Sequence, residues 1–150
     1  MQQLNLPPYN ANIKKTGGTV KIFDILRRKF VALTPEEWVR QNFVHYLLEH
    51  KGYSPLFMMN EVKLELNGMS KRCDSLVYDR QGKPLMIVEY KATHVTLSQA
   101  VFDQIMRYNI VLGVDYLIVS NGITHYCIKI NEQKNGYTFL TDVPNYADLT

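Results

Sequence analysis

The sequence predicts an α/β fold, a mixed β-sheet with helices packed on it. Three observations carry this expectation. Strand-like and helix-like segments follow one another as strands, helix, three-strand meander, helix and strands. Leu85 to Val88 is continuously apolar, which suits a central strand covered on both faces. Two helix starts, near Thr34 and Thr96, carry capping-box patterns.

Residues 1–18 read as a lead-in that ends at Thr16-Gly17-Gly18. Val20 to Leu26 and Lys29 to Leu33 read as two short strands around Arg27-Arg28. That basic tip is expected to be a solvated hairpin end, with phosphate contact as the sharper alternative. Thr34-Pro35-Glu36-Glu37 opens a helix, with Thr34 as N-cap, Pro35 at the first helical position and Glu37 three residues after the cap. The helix should run to about Lys51 and be ended by Gly52. Val39, Phe43, Tyr46 and Leu47 form one apolar stripe. At about 100° per residue, Glu36 falls on that stripe and Glu37 points away from it. Glu37 is therefore expected to cap, and Glu36 to sit at the edge of the core, where a lone carboxylate is costly without a partner.

Glu61 to Leu66 alternates and ends in Asn67-Gly68, a hairpin turn. Lys71 to Tyr78 is the return strand, Asp79 to Lys83 a second turn, and Pro84 to Tyr90 the third strand. Thr96-Leu97-Ser98-Gln99 starts a second helix that ends near Gly113, with Val101, Ile105, Tyr108 and Leu112 at helical spacing. Tyr116 to Ser120 is a buried type of strand, Asn121-Gly122 a tight turn, and Thr124 to Ile130 the hairpin partner. Asn135-Gly136 precedes a last strand, Tyr137 to Leu140.

The 150 residues fit a single domain over residues 1–150. With 46% hydrophobic and 21% charged residues, the composition is that of a folded globule, not a disordered chain. A net charge of +3 permits a nucleic-acid partner without demanding one. Cys73 and Cys127 form no metal-type cluster and read as reduced thiols. The N-terminus lacks the pattern of a signal peptide, and no apolar run approaches the roughly 20 residues of a membrane span. No membrane partner and a cytoplasmic location are expected.

Asp74 opens the strand-like run Ser75 to Tyr78, and Glu89-Tyr90-Lys91 closes the run Leu85 to Val88. Residues i and i+2 of a strand point the same way, so Glu89 and Lys91 share a face while Tyr90 faces the other. If the runs pair, two carboxylates and an ammonium meet. Phosphodiester hydrolysis needs a deprotonated water and neutralisation of charge at phosphorus and the leaving oxygen. Magnesium or manganese supplies much of this through hard oxygen ligands. Asp74 and Glu89 would be its carboxylate ligands, with the Tyr90 carbonyl as a backbone oxygen. Lys91 would orient the water or stabilise negative charge. The competing interpretation is a cross-strand salt bridge, which is common and weak. Gln104 and Tyr108 lie at i and i+4 on the second helix. They could contact water or phosphate, or be a surface glutamine beside a half-buried tyrosine.

These residues resemble the PD-(D/E)XK nucleases, and within them the N-terminal nuclease domain of type I restriction enzyme restriction subunits. The stretches that carry the resemblance are Thr34 to Gln41, Lys71-Arg72-Cys73-Asp74, Ile87-Val88-Glu89-Tyr90-Lys91, Gln104 to Asn109, and Ser120-Asn121-Gly122. The resemblance implies a restriction-endonuclease-like core, with Asp74, Glu89 and Lys91 as the catalytic triad. It also implies Glu36 as the acidic residue of the first helix, Arg40 one turn later as a substrate contact, and Gln104 and Tyr108 as a Q-xxx-Y element, with Tyr108 likewise contacting substrate. Cys73 stands where the motif's proline would be. Restriction subunits carry a helicase motor after this domain, and this sequence contains no G-xxxx-GK phosphate loop. The expected activity is metal-dependent DNA hydrolysis, helped by a homodimer or by separate helicase and specificity subunits. The alternative is a non-catalytic nucleic-acid-binding or accessory module of the same fold.

Overall fold

This computed structural model describes residues 1–66, 68–110 and 112–149, and at residues 66, 69, 108 and 110 the backbone alone. The chain begins with a small antiparallel sheet, β1 (Ile13–Thr16), β2 (Thr19–Asp24) and β3 (Lys29–Ala32). Residues 13–16 are thus a strand, not part of a lead-in. Gly17 and Gly18, with φ of 57° and 81°, turn the chain so that Thr16 pairs with Thr19. Glycine tolerates such a pair of positive φ values without a Cβ penalty.

The tip between β2 and β3 is solvated at Arg28, as expected, but not at Arg27. Asp24 is buried and accepts the N–H groups of Leu26 and Arg27 at 2.7 and 2.9 Å. The Arg27 side chain folds inward, 22% exposed, onto Asp24 and Glu37.

Helix α1 (Pro35–His50) starts as its sequence requires: the Thr34 hydroxyl accepts the Glu37 N–H at 3.0 Å, and Pro35 occupies the first turn. At the other end Gly52 has φ 75°, and the Tyr53 N–H closes on the Leu47 carbonyl at 3.1 Å.

The main sheet has six strands in sequence order: β4 (Met58–Leu66), β5 (Met69–Tyr78), β6 (Pro84–Tyr90), β7 (Tyr116–Ser120), β8 (His125–Ile130) and β9 (Tyr137–Leu140). Only β6 and β7 run parallel, joined through helix α2 (Gln99–Ile110). The sheet is therefore mixed, as expected. The turn expected at Asn67-Gly68 is bracketed by the Leu66–Met69 pair, and Asn67 itself lies outside the described residues. The α2 cap is Ser98, whose hydroxyl accepts the Val101 N–H at 3.3 Å.

The sheet separates two apolar layers. Val39, Phe43, Val44 and Leu47 of α1 pack with Met86, Val88 and Tyr90 of β6. Phe102 and Met106 of α2 pack with Ile87, on the other face. β6 is buried from Leu85 to Tyr90, which explains its uninterrupted apolar run. Leu4 and Asn5 lie on the β7–β8 turn, where the Asn5 N–H meets the Gly122 carbonyl at 2.8 Å. A Cβ at Gly122 would come within 2.8 Å of Leu4, so glycine is needed for this approach. No described helix is long and apolar enough to cross a membrane.

Candidate active site

Strand alternation puts Glu89 on the Ile87 side of the sheet, facing α2. Lys91 follows on the same side. Its N–H donates to the Ser120 carbonyl at 2.9 Å, continuing the β6–β7 pairing one residue further. The N–H and C=O of Tyr90 therefore point towards β5. There the Tyr90 N–H donates to the Asp74 carboxylate at 2.9 Å. The end of β6 thus brings Glu89 beside Asp74, with Lys91 two residues further along the same face.

The two acids feel each other. Burial, and next the charge of Glu89, push the Asp74 carboxyl up to about 6, against the Tyr90 N–H and Arg40. A carboxylate pair of this kind needs a nearby positive charge. One is present: the Lys71 ammonium lies on the Glu89 carboxylate. Beside them is a cavity of about 250 Å³ lined by Lys71, Glu89, Lys91, Val101, Gln104, Ile105 and Asn109. Gln104 is exposed and forms part of its α2 wall. Tyr108 lies on α2, and its side chain is outside the described residues. His94 is exposed and is not among the lining residues. A larger cavity of about 620 Å³ lies by the β5–β6 turn and the end of α1, lined by residues that include His50, Lys51 and Arg80. It contains none of the expected site residues.

The two glutamates of α1 have exchanged the places expected of them. Glu36 is exposed, and Glu37 is buried. Glu37 is 2.9 Å from Arg27, 3.1 Å from Arg40, and accepts from the Gln41 amide at 2.9 Å. The wheel drawn through apolar residues missed this because the buried face of α1 also holds Arg40, Gln41 and Val44, which widen it towards Glu37. In addition, side chains lean towards the helix N-terminus, so Glu36 in the first turn projects past the covered region. Neither glutamate lines the cavity.

Arg40, expected as a substrate contact, is turned inward. It donates to the Asp74 carbonyl at 2.8 Å and to Glu61 at 2.6 Å, and its guanidinium lies 5.8 Å from the Tyr90 ring. It holds the main chain of Asp74 and does not line the cavity. Glu61 has φ 52°, rare outside glycine, and interrupts the β4–β5 register opposite Asp74.

Behind the acids runs a buried polar chain. Tyr90 donates its hydroxyl to Ser75 at 2.8 Å, Ser75 to Asn60 at 2.5 Å, and Asn60 to Asp24 at 3.0 Å. Asp24 stays ionised despite burial, because Asn60 and Arg27 hold its carboxyl below the usual range. Burial pushes the Tyr90 hydroxyl up, so it acts as a neutral donor. The Cys73 thiol is pushed up to about 11 by burial and is inert.

Sequence reasoning missed Asn60, Lys71 in this role, and Asn109. Asn109 is 1% exposed; its amide nitrogen donates to the Ile105 carbonyl at 2.8 Å, and among the described residues its oxygen has no hydrogen-bond partner. No spacing rule marks such a residue, because its burial follows from how α2 lies on the sheet. Among the described residues no group of three or more His, Cys, Asp or Glu is placed to hold a metal ion. Two carboxylates and the Tyr90 carbonyl are nevertheless a fitting donor set for magnesium, which binds through one or two carboxylates and retains several waters.

The sequence matches the family described as type I restriction enzyme R protein N terminus (HSDR_N) over residues 35–144. No curated protein matches it significantly. Among solved structures, one similar chain is a fragment assigned as an HsdR subunit of a type I restriction enzyme from Vibrio vulnificus YJ016. It is 23% identical, with TM-score 0.38, over 62% of this chain and 18% of that one. Another is a chain of a DrdV–DNA complex solved by cryo-electron microscopy, 20% identical, with TM-score 0.45, over 77% of this chain and 11% of that one. The chain thus spans less than a fifth of either structure's chain.

Proposed function

The chain belongs to the family of type I restriction enzyme R protein N termini, and on that premise we propose that it is a metal-dependent nuclease domain hydrolysing DNA phosphodiester bonds. The single observation that carries this reading is the meeting of Asp74 with Glu89 at the end of β6, next to a cavity that Glu89 and Lys91 line. The mixed sheet with a helix on each face is consistent with a restriction-endonuclease-like core.

Asp74, Glu89 and the Tyr90 carbonyl would hold a magnesium or manganese ion. When bound, the ion would neutralise phosphate charge and acidify a water. The residues of this chain do the remainder. Lys91 faces the cavity with a compact ammonium that orients the water and stabilises charge growing on the phosphoryl oxygens. Gln104 offers an amide to that water or to a phosphate oxygen from the opposite wall. Tyr90, tied to Ser75 and stacked near Arg40, keeps the end of β6 in place. DNA is the proposed substrate. A second copy, or separate helicase and specificity subunits, are the proposed partners in finding it.

Lys91→Ala should lower plasmid nicking in magnesium or manganese by at least about a hundredfold, with circular dichroism unchanged. A variant as active as the parent rejects the assignment. The Lys71–Glu89 pair favours a second reading, a nucleic-acid-binding module without catalysis, because it occupies an expected metal ligand. A manganese titration followed by calorimetry separates the two: no heat at millimolar metal favours the module.

A further inference from the structure

Lys71 has no part in the reaction as drawn above. It stands on β5 three residues before Asp74, and its ammonium rests on the Glu89 carboxylate inside the candidate cavity. Both side chains are largely out of solvent, 11% and 12% exposed. Arg40, which also acts on Asp74, is directed to its carbonyl and to Glu61 and Glu37. Lys71 thus supplies positive charge where two crowded acids need it. A lysine suits a replaceable cation: it is a point charge on a flexible four-carbon stem, without the two-pronged grip of arginine. Two cations drawn to one carboxylate repel each other, so a divalent ion arriving at Glu89 weakens the hold of Lys71 on it.

We propose that Lys71 is the resident counter-ion of Glu89, and that a divalent cation loads the site by displacing it. Loading is then an exchange. Its affinity is set by the difference between metal–carboxylate and ammonium–carboxylate interactions, and the metal-free protein is spared the repulsion of two buried anions. The proposal rests on Asp74 and Glu89 being metal ligands.

The test is calorimetric titration of the full chain with manganese chloride. Lys71→Met should bind manganese about tenfold tighter, the weight of one hydrogen-bonded ion pair withdrawn from competition. Its metal-free melting temperature should fall, and its gain on adding manganese should exceed the parent's. Lys71→Arg should bind manganese no tighter than the parent. Lys63→Met is the control for net charge, because Lys63 is a 64% exposed neighbour-strand lysine paired with Glu65. It should keep the parent's affinity. If Lys71→Met does not fold, Lys71→Gln replaces it. Unchanged or weaker binding in Lys71→Met, with binding still abolished by Asp74→Asn, overturns the counter-ion role alone. Equal tightening by Lys63→Met overturns it as well. Absence of manganese binding in parent and Lys71→Met alike removes the metal reading, and this proposal with it.

Discussion

Asp74 and Glu37 are both acids drawn out of solvent, and their neighbours give them opposite effects on stability. Glu37 meets two guanidiniums and an amide. Removing it leaves Asp24 as the carboxylate on Arg27 and Glu61 as that on Arg40, so Glu37→Ala should cost about 2 kcal/mol in urea denaturation. Glu36→Ala, on an exposed side chain, should cost less than about 0.5 kcal/mol. Asp74 instead meets Glu89, and its carboxyl is pushed up to about 6. A carboxyl raised on folding binds its proton more tightly in the native state, so stability falls as pH rises through the window from the ordinary carboxylate range to about 6. Asp74→Asn keeps an acceptor for the Tyr90 N–H and removes the charge. It should stabilise the metal-free protein by roughly 1–2 kcal/mol above pH 6. The gain should disappear once the parent's Asp74 is protonated at acid pH, as denaturation curves across that window will show. A gain that persists in acid would mean that the buried charge of Asp74 is not its source.

At the scale of elements, three local rules aim the candidate site. The period of two along β6 sends Glu89 and Lys91 to the α2 face and Tyr90 to the α1 face. Parallel pairing with β7 directs the Tyr90 amide towards Asp74. The N-cap of α1 sets where Glu37 and Arg40 stand. Thr34→Ala should therefore cost about 1 kcal/mol by thermal denaturation, through the lost hydroxyl–amide bond to Glu37. Because the cap does not touch the cavity, nicking activity at a temperature below the transition should be unchanged. These elements were legible in the sequence because their signals are local: a Thr-Pro-Glu-Glu start, an apolar run, and turns with Gly. Strand β1 was not legible. Ile13 to Thr16 is exposed throughout, so no hydrophobic period marks it, and only pairing with β2 makes it a strand.

For the whole molecule, charge is the quantity that bears on DNA. A net +3 spread over a small domain gives little electrostatic reach. Arg27 and Arg40 are further spent on internal acids. Binding of the isolated chain to duplex DNA should be no tighter than about micromolar at physiological salt, and should weaken steeply with added salt. Fluorescence anisotropy at two salt concentrations reads both. Tight, salt-insensitive binding would require a recognition surface other than phosphate contact. The chain spans less than a fifth of the structures it resembles, so partners that bring DNA to it remain part of the proposal.

By itself the sequence determined the order of the elements from β2 onward, the mixed sheet, the family, and the presence of Asp74, Glu89 and Lys91 on adjoining strands. Each follows from local periodicity, turn chemistry or short motifs. Only the tertiary structure decided which α1 glutamate is buried, that Arg40 braces Asp74 from within, and that Lys71 reaches Glu89. Those outcomes depend on the facing β2–β3 tip and on the interrupted register at Glu61. A buried ion's partner comes from whatever segment packs against it, and sequence spacing carries no record of that distance.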